Sequence, residues 1–186
     1  MSKVDKLLQS YCRHISVPWQ SDLAAVQRVI FAVYDKADEL RVRAQVGDFQ
    51  NATLEAGKRW LLLDVTDAFP RWMNSLEFRE EYFQSPEDLV GYPGGEIKDF
   101  TQWLIGDLTE KIQREADPDT VVAIIGVATL FGLSRVSALV QDVQRVISGR
   151  LLVFFPGEHQ ADAHQYRLLD ARDGWNYLAV PLTAND

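Results

Sequence analysis

Val4, Leu7, Leu8, Tyr11 and Ile15 stand at offsets of 0, 3, 4, 7 and 11, the spacing of one helical face that must pack against something. Val17–Pro18–Trp19 breaks the pattern. Ser21 followed by Asp22 reads as an N-cap with an acidic first turn, which predicts a short helix over Asp22–Arg28. The character then changes to Val29–Tyr34, an almost wholly apolar run, and the same type returns at Leu61–Val65, Val121–Val127 and Leu151–Phe155. Runs that do not alternate fit strands covered on both faces, as in a parallel sheet between helices. The intervening lengths leave room for crossover helices.

Ala37–Ala56 is rich in helix formers, carries Val42, Val46 and Phe49 on one stripe, and meets Gly57 where a C-terminal cap belongs. A second helix is predicted over Ala68–Phe83 with Met73, Leu76 and Phe83 inward, followed by a turn-rich surface loop at Ser85–Gly95. A third spans Glu96–Glu115 with Ile97, Phe100, Leu104, Leu108 and Ile112 as its apolar stripe. Ser134 is placed as the N-cap of a fourth, in which Val136, Leu139, Val140, Val143 and Ile147 share a face and Gly149 closes the segment. Pro156–Gly157 reads as the end of the fourth strand, with glycine supplying a backbone angle other residues resist. Tyr166–Leu169 and Trp175–Leu182 around Asp173–Gly174 predict a hairpin or an edge addition. Together these elements give a three-layer, Rossmann-like α/β fold with a mostly parallel sheet of about four core strands. We read one domain over residues 1–186, with a helical lead at 1–25, an α/β core at 26–157 and a β-rich tail at 158–186.

Composition agrees with a globular chain: 186 residues, 47% hydrophobic, 25% charged and a net charge of −8. One cysteine, Cys12, excludes an internal disulfide, and the first residues carry no apolar leader, so a cytoplasmic location is expected. No apolar run approaches the roughly 20 residues that cross a bilayer. The acidic balance argues against a dominant grip on nucleic acid, which relies on Lys and Arg at phosphates. Direct DNA contact by Arg41, Arg43, Lys58 and Arg59 is correspondingly the weaker idea.

Ligands of open parallel sheets gather at the carboxyl ends of the strands. Asp35 and Asp38 follow the first strand, Asp64 and Asp67 the second, Gly126, Thr129 and Arg135 the third, and Glu158 the fourth. Such carboxylates either hold Mg²⁺ for phosphate chemistry or serve as caps of the following helices. Gly126–Gly132 lacks the Lys-Ser/Thr of a phosphate-binding loop, and neither G-x-G-x-x-G nor G-x-S-x-G occurs. Cys12, His14, His159 and His164 offer zinc-ligating types without a diagnostic spacing. No cofactor and no catalytic set is therefore assigned.

Five tryptophans, Trp19, Trp60, Trp72, Trp103 and Trp175, exceed what folding requires. Trp72 and Trp103 fall beside the inward stripes, with Arg71 and Arg79 nearby, a combination that protein interfaces concentrate. Arg167, Asp170, Arg172 and Asp173 alternate in sign, either as a solvated ladder or as a register for a charged partner. The interface candidates are Trp72, Arg79, Trp103, Arg167 and Trp175.

The stretches RVIFAVYDKADELRVR (Arg28–Arg43), RWLLLDVTDAFPRWM (Arg59–Met73), DTVVAIIGVATLFGLSRVSALV (Asp119–Val140), GRLLVFFPGEH and YRLLDARDGWNYLAVPL (within Gly149–Leu182) resemble the BrxB family of bacteriophage exclusion (BREX) defence systems. The resemblance covers most of the chain from Arg28 onward. It implies membership of a system that methylates host DNA and blocks phage replication, alongside a large ATPase, an adenine methyltransferase and a phosphatase-like protein, PglZ. The family offers no catalytic residues, so the resemblance implies a process and not a reaction. The expected role is a non-catalytic adaptor binding the PglZ-like protein first and the ATPase second. The alternative is a metal-dependent, phosphate-handling enzyme using Asp35, Asp64, Asp67 and Glu158.

Overall fold

A computed structural model describes residues 1–20, 22–89, 97–160, 165–169, 171–172 and 179–185. Ser21, His164, Asp170, Trp175 and the expected turn at Asp173–Gly174 lie outside the described residues. Among the described residues the strands are β1 (Val29–Tyr34), β2 (Arg59–Asp64), β3 (Thr120–Ile125), β4 (Arg150–Gln160), β5 (Gln165–Leu168), β6 (Ala171–Arg172) and β7 (Val180–Leu182). The main sheet has the order β2-β3-β4-β1-β7 with every pair parallel. The helices are α1 (Lys3–Ile15), α2 (Glu39–Glu55), α3 (Ala68–Ser75), α4 (Arg79–Gln84), α5 (Lys98–Glu115) and α6 (Val136–Val143).

The strand runs are apolar throughout because both faces are covered. Val29, Phe31 and Val33 of β1 join a core with α3, α5 and α6, whereas Ile30, Ala32 and Tyr34 join a second core with α1 and α2. The period-2 alternation of strand side chains feeds two cores from one strand. β1, β3 and most of β4 are buried at every position, as expected. The second strand differs, because β2 is the sheet's edge, and Arg59, Leu62 and Asp64 are exposed.

Several local expectations are corrected. The helix expected over Ala68–Phe83 is two helices: Leu76 leaves α3 with an extended backbone at ψ 133, and Arg79 starts α4. Ser75 donates its hydroxyl to the Trp72 carbonyl at 2.6 Å, the kind of local bond that competes with a helix ladder. The break changes the helical phase, so Phe83 emerges 64% exposed instead of inward. The segment expected as a helix over Asp22–Arg28 holds a single 3₁₀ turn, Ala25–Arg28. Ser134 is not the cap of α6; that position is Arg135, and the buried Ser134 hydroxyl accepts from Thr101 at 2.8 Å. By contrast α2 ends as read, with Gly57 at φ +72 beyond its last turn.

Pro156–Gly157 does not end β4. Pro156 is the last residue paired with Tyr34 of β1, and Gly157 is the first paired with Leu168 of β5, so one strand leaves the parallel core and enters an antiparallel hairpin. Gly157 is extended, not left-handed. The hairpin partner of Tyr166–Leu169 is thus β4, while β6 pairs with β5 and β7 returns to lie beside β1. Among the described residues no helix is long and apolar enough to cross a membrane.

Candidate functional site

The chain leaves β1 across one face to the far edge at β2, and returns strand by strand to β4 along the other face. β1 and β4 are neighbours whose outgoing connections diverge, which is where an open α/β sheet forms its ligand crevice. A cleft of about 480 Å³ lies there, lined by Tyr34 at the end of β1, Asp35 and Asp38 beyond it, Glu158 of β4, and Lys3 and Lys6 of α1. The β4–β5 hairpin contributes Leu169, held in the left-handed region at φ +55, with its N–H donating to the Pro156 carbonyl at 2.9 Å.

The strand order separates the carboxylates that the sequence aligned. β3 and β4 stand between β1 and β2, so Asp35 and Asp64 begin roughly 14 Å apart across the sheet at the usual strand spacing. Each is also engaged locally. Asp35 accepts from the Ala37 N–H at 2.9 Å, Asp38 pairs with Arg41 at 3.2 Å, and Asp67 pairs with Arg71 at 3.2 Å. Asp64 accepts from the Thr66 hydroxyl, from the Thr66 N–H at 2.9 Å and from Arg43 at 3.3 Å. Partial burial pushes the Asp64 carboxyl up, yet these hydrogen bonds and the Arg43 charge outweigh it and hold it below its ordinary value. Arg43 also donates to Glu39 at 2.8 Å, and Glu39 accepts from the Tyr34 hydroxyl at 2.5 Å. This relay ties the end of β1 to the end of β2 across the top of the sheet.

The sulfur and imidazole candidates are dispersed as well. His14, near the end of α1, shares a cavity with Arg150 at the start of β4, whereas His159 lies near the other end of that strand, its ring tilted against Tyr166 at 4.7 Å. Cys12 is on α1, toward the far end of the same helix that opens at the cleft. Among the described residues no group of three or more His, Cys, Asp or Glu is disposed to hold a metal ion.

The aromatic candidates divide. Trp72 is not a surface residue: it is 5% exposed and packs against Phe69 and Phe100 at 5.8 and 5.5 Å. α3 turns it into the core because Ala68, Trp72 and Met73 share one face of a short helix. Trp103 is half-buried, with the Arg71 guanidinium 5.3 Å from its ring. Trp19 is covered by Lys58 and Arg150 at 4.4 and 4.6 Å, and Trp60 packs against the α1–α2 core. Arg167 is half-buried on β5, opposite Glu158.

The exposed aromatics are phenylalanines that sequence reasoning missed. Phe78 and Phe83 are 59% and 64% exposed. Phe83 and Arg79 border a groove of about 390 Å³ with Phe69, Pro70, Met73 and Asn74. Arg79 donates to the Asn74 side-chain oxygen at 2.6 Å, which ties two of the groove's lining residues together. Glu77, Glu80, Glu81, Glu87 and Asp88, near Arg79 and Phe83 in sequence, are exposed. The available signal was the density of acids around two phenylalanines in EFREEYFQSPED, which no inward stripe accommodates. No protein-family profile, curated protein or solved structure matches this chain.

Proposed function

We propose that this chain is a non-catalytic interaction subunit of a BREX-type anti-phage system, binding the PglZ-like protein first and the BREX ATPase second in support of phage exclusion and host DNA methylation. The observation that carries this reading is the α3–α4 surface: exposed Phe83 lining an apolar groove, with Arg79 hydrogen-bonded to Asn74 in the same lining. Aromatic and arginine anchors at a concave apolar patch are the residues that carry binding energy in protein interfaces. The exposed acids of the Glu77–Asp88 stretch favour a partner rich in Lys and Arg. The resemblance of Arg28–Leu182 to BrxB supplies the biological process, and the dispersed, locally satisfied carboxylates favour an adaptor over a phosphate-handling enzyme.

The experiment is co-expression with the other proteins of the defence operon, affinity purification and size-exclusion chromatography. A stoichiometric complex with the PglZ-like protein, lost in Phe83→Ser with an unchanged melting temperature, supports the reading. Elution alone from every pairing overturns it.

A further inference from the structure

The two edges of the main sheet are built differently. β7 is three residues long and contains Pro181, and a short, proline-bearing edge is a standard protection against further strand pairing. β2 has no such protection. It is six residues long, reads Arg-Trp-Leu-Leu-Leu-Asp, contains no proline, and pairs with β3 in unbroken register along its whole length. Leu62 at its middle is 42% exposed.

The hydrogen bonds among the described residues define which backbone groups of β2 face away from β3. The N–H groups of Arg59 and Val65 donate to the carbonyls of Asp119 and Ile125, so the odd-numbered residues of β2 point at β3. With the strand period of two, the N–H and C=O of Trp60, Leu62 and Asp64 point outward. An antiparallel second copy related by a two-fold axis at Leu62 sets Leu62 against Leu62 and Trp60 against Asp64. That register pairs every outward N–H and C=O of those residues in both copies, and a shift by one step in either direction leaves an end residue unpaired.

The helix above the edge has the same centre of symmetry. α2 runs opposite to β2, and Arg43 reaches Asp64 at 3.3 Å. Four residues of helix and two of strand both span about 6 Å, which puts Gly47 level with Leu62. Leu40 and Leu54, the strongly exposed leucines of α2, stand seven residues to either side of Gly47. The same two-fold therefore sets Leu40 of one copy toward Leu54 of the other.

We infer that β2 is the contact of a symmetric homodimer, in which two copies join their sheets edge to edge through antiparallel β2 strands centred on Leu62. This is independent of the α3–α4 reading, since α2 and α3 flank opposite faces of the sheet. The closed two-fold arrangement uses one patch twice and ends growth at two chains.

The test has two arms. Sedimentation velocity of the purified chain is expected to give twice the 21.1 kDa chain mass, and Leu62→Lys to give a folded monomer whose melting temperature, unlike the parent's, does not depend on protein concentration. In a Cys12→Ser background, Leu62→Cys is expected to form an intermolecular disulfide under mild oxidation, because directly opposed residues of a hydrogen-bonded pair lie about 5.5 Å apart at Cα. Lys58→Cys, displaced along the strand from its own symmetry mate, is expected not to. A monomer throughout the micromolar range overturns the inference, and so does a dimer that survives Leu62→Lys while the Leu62→Cys chain fails to crosslink.

Discussion

A β-carbon placed on Gly157 would overlap the carbonyl oxygen of Arg167, so the passage of β4 from the core into its hairpin depends on the absence of a side chain. Gly157→Ala forces β5 away from β4 by backbone movement. The expected cost is about 1–3 kcal/mol, the usual range for overpacking. Chemical denaturation checks it, and a midpoint equal to the parent's contradicts it.

Trp72 and Phe83 separate stability from binding. Trp72→Ala removes a buried ring from the α3–α5 core and is expected to cost roughly 3–5 kcal/mol. Phe83→Ser at an exposed position is expected to change stability by less than about 0.5 kcal/mol. Melting curves of the two variants should differ plainly, and loss of a complex in the Trp72 variant then reports unfolding.

Tyr11 and Thr53 share a buried hydrogen bond of 2.6 Å between α1 and α2. The Thr53 hydroxyl donates to the Phe49 carbonyl at 2.8 Å, so Tyr11 is the donor to Thr53. Burial pushes the Tyr11 phenol well above its ordinary value, which keeps that proton in place. Tyr11→Phe is expected to cost about 0.5–1.5 kcal/mol, the net value of one such bond. Urea titration with an unchanged slope checks it.

Acid sensitivity has two steps of the same sign. Burial, then the Arg150 charge, push the His14 imidazole below its ordinary value, so protonation favours the unfolded chain as pH falls through about 6.5. Asp64 is also held low; its contribution is complete above about pH 4 and is lost as pH falls through the folded-state value. His14→Gln should flatten the melting temperature between pH 7 and 5. Asp64→Asn should flatten the fall below pH 4. Parallel acid limbs in parent and variants would contradict both assignments.

The central strands and the stripe of α5 were legible because each depends on a local period: Ile97, Phe100, Leu104, Leu108 and Ile112 are all buried as the spacing requires. What was not legible depends on contacts distant in sequence. The leucine run of β2 reads like a buried strand, and only the charged Arg59 and Asp64 at its ends, against the uncharged run of central β3, hint that it is an edge. The reach of β4 past Gly157 was hidden because Pro-Gly is ordinary turn chemistry, and only the Arg167 carbonyl explains the glycine. The site suffered most, for the Leu76 break reversed the roles of Trp72 and Phe83.

The position of β1 bears on how the protein is made. It leaves the ribosome before both its partners, since Val29 pairs with Leu151 and Ile30 with Val180. Both strand partners of this apolar segment are synthesised far later, so α1 and α2 can cover one face of it during translation while its edges and its other face stay open. Nascent chains stalled before β4 should bind hydrophobic-segment chaperones and be cut readily by protease. Resistance should arrive abruptly once β7 has left the exit tunnel, not in stages as each helix appears.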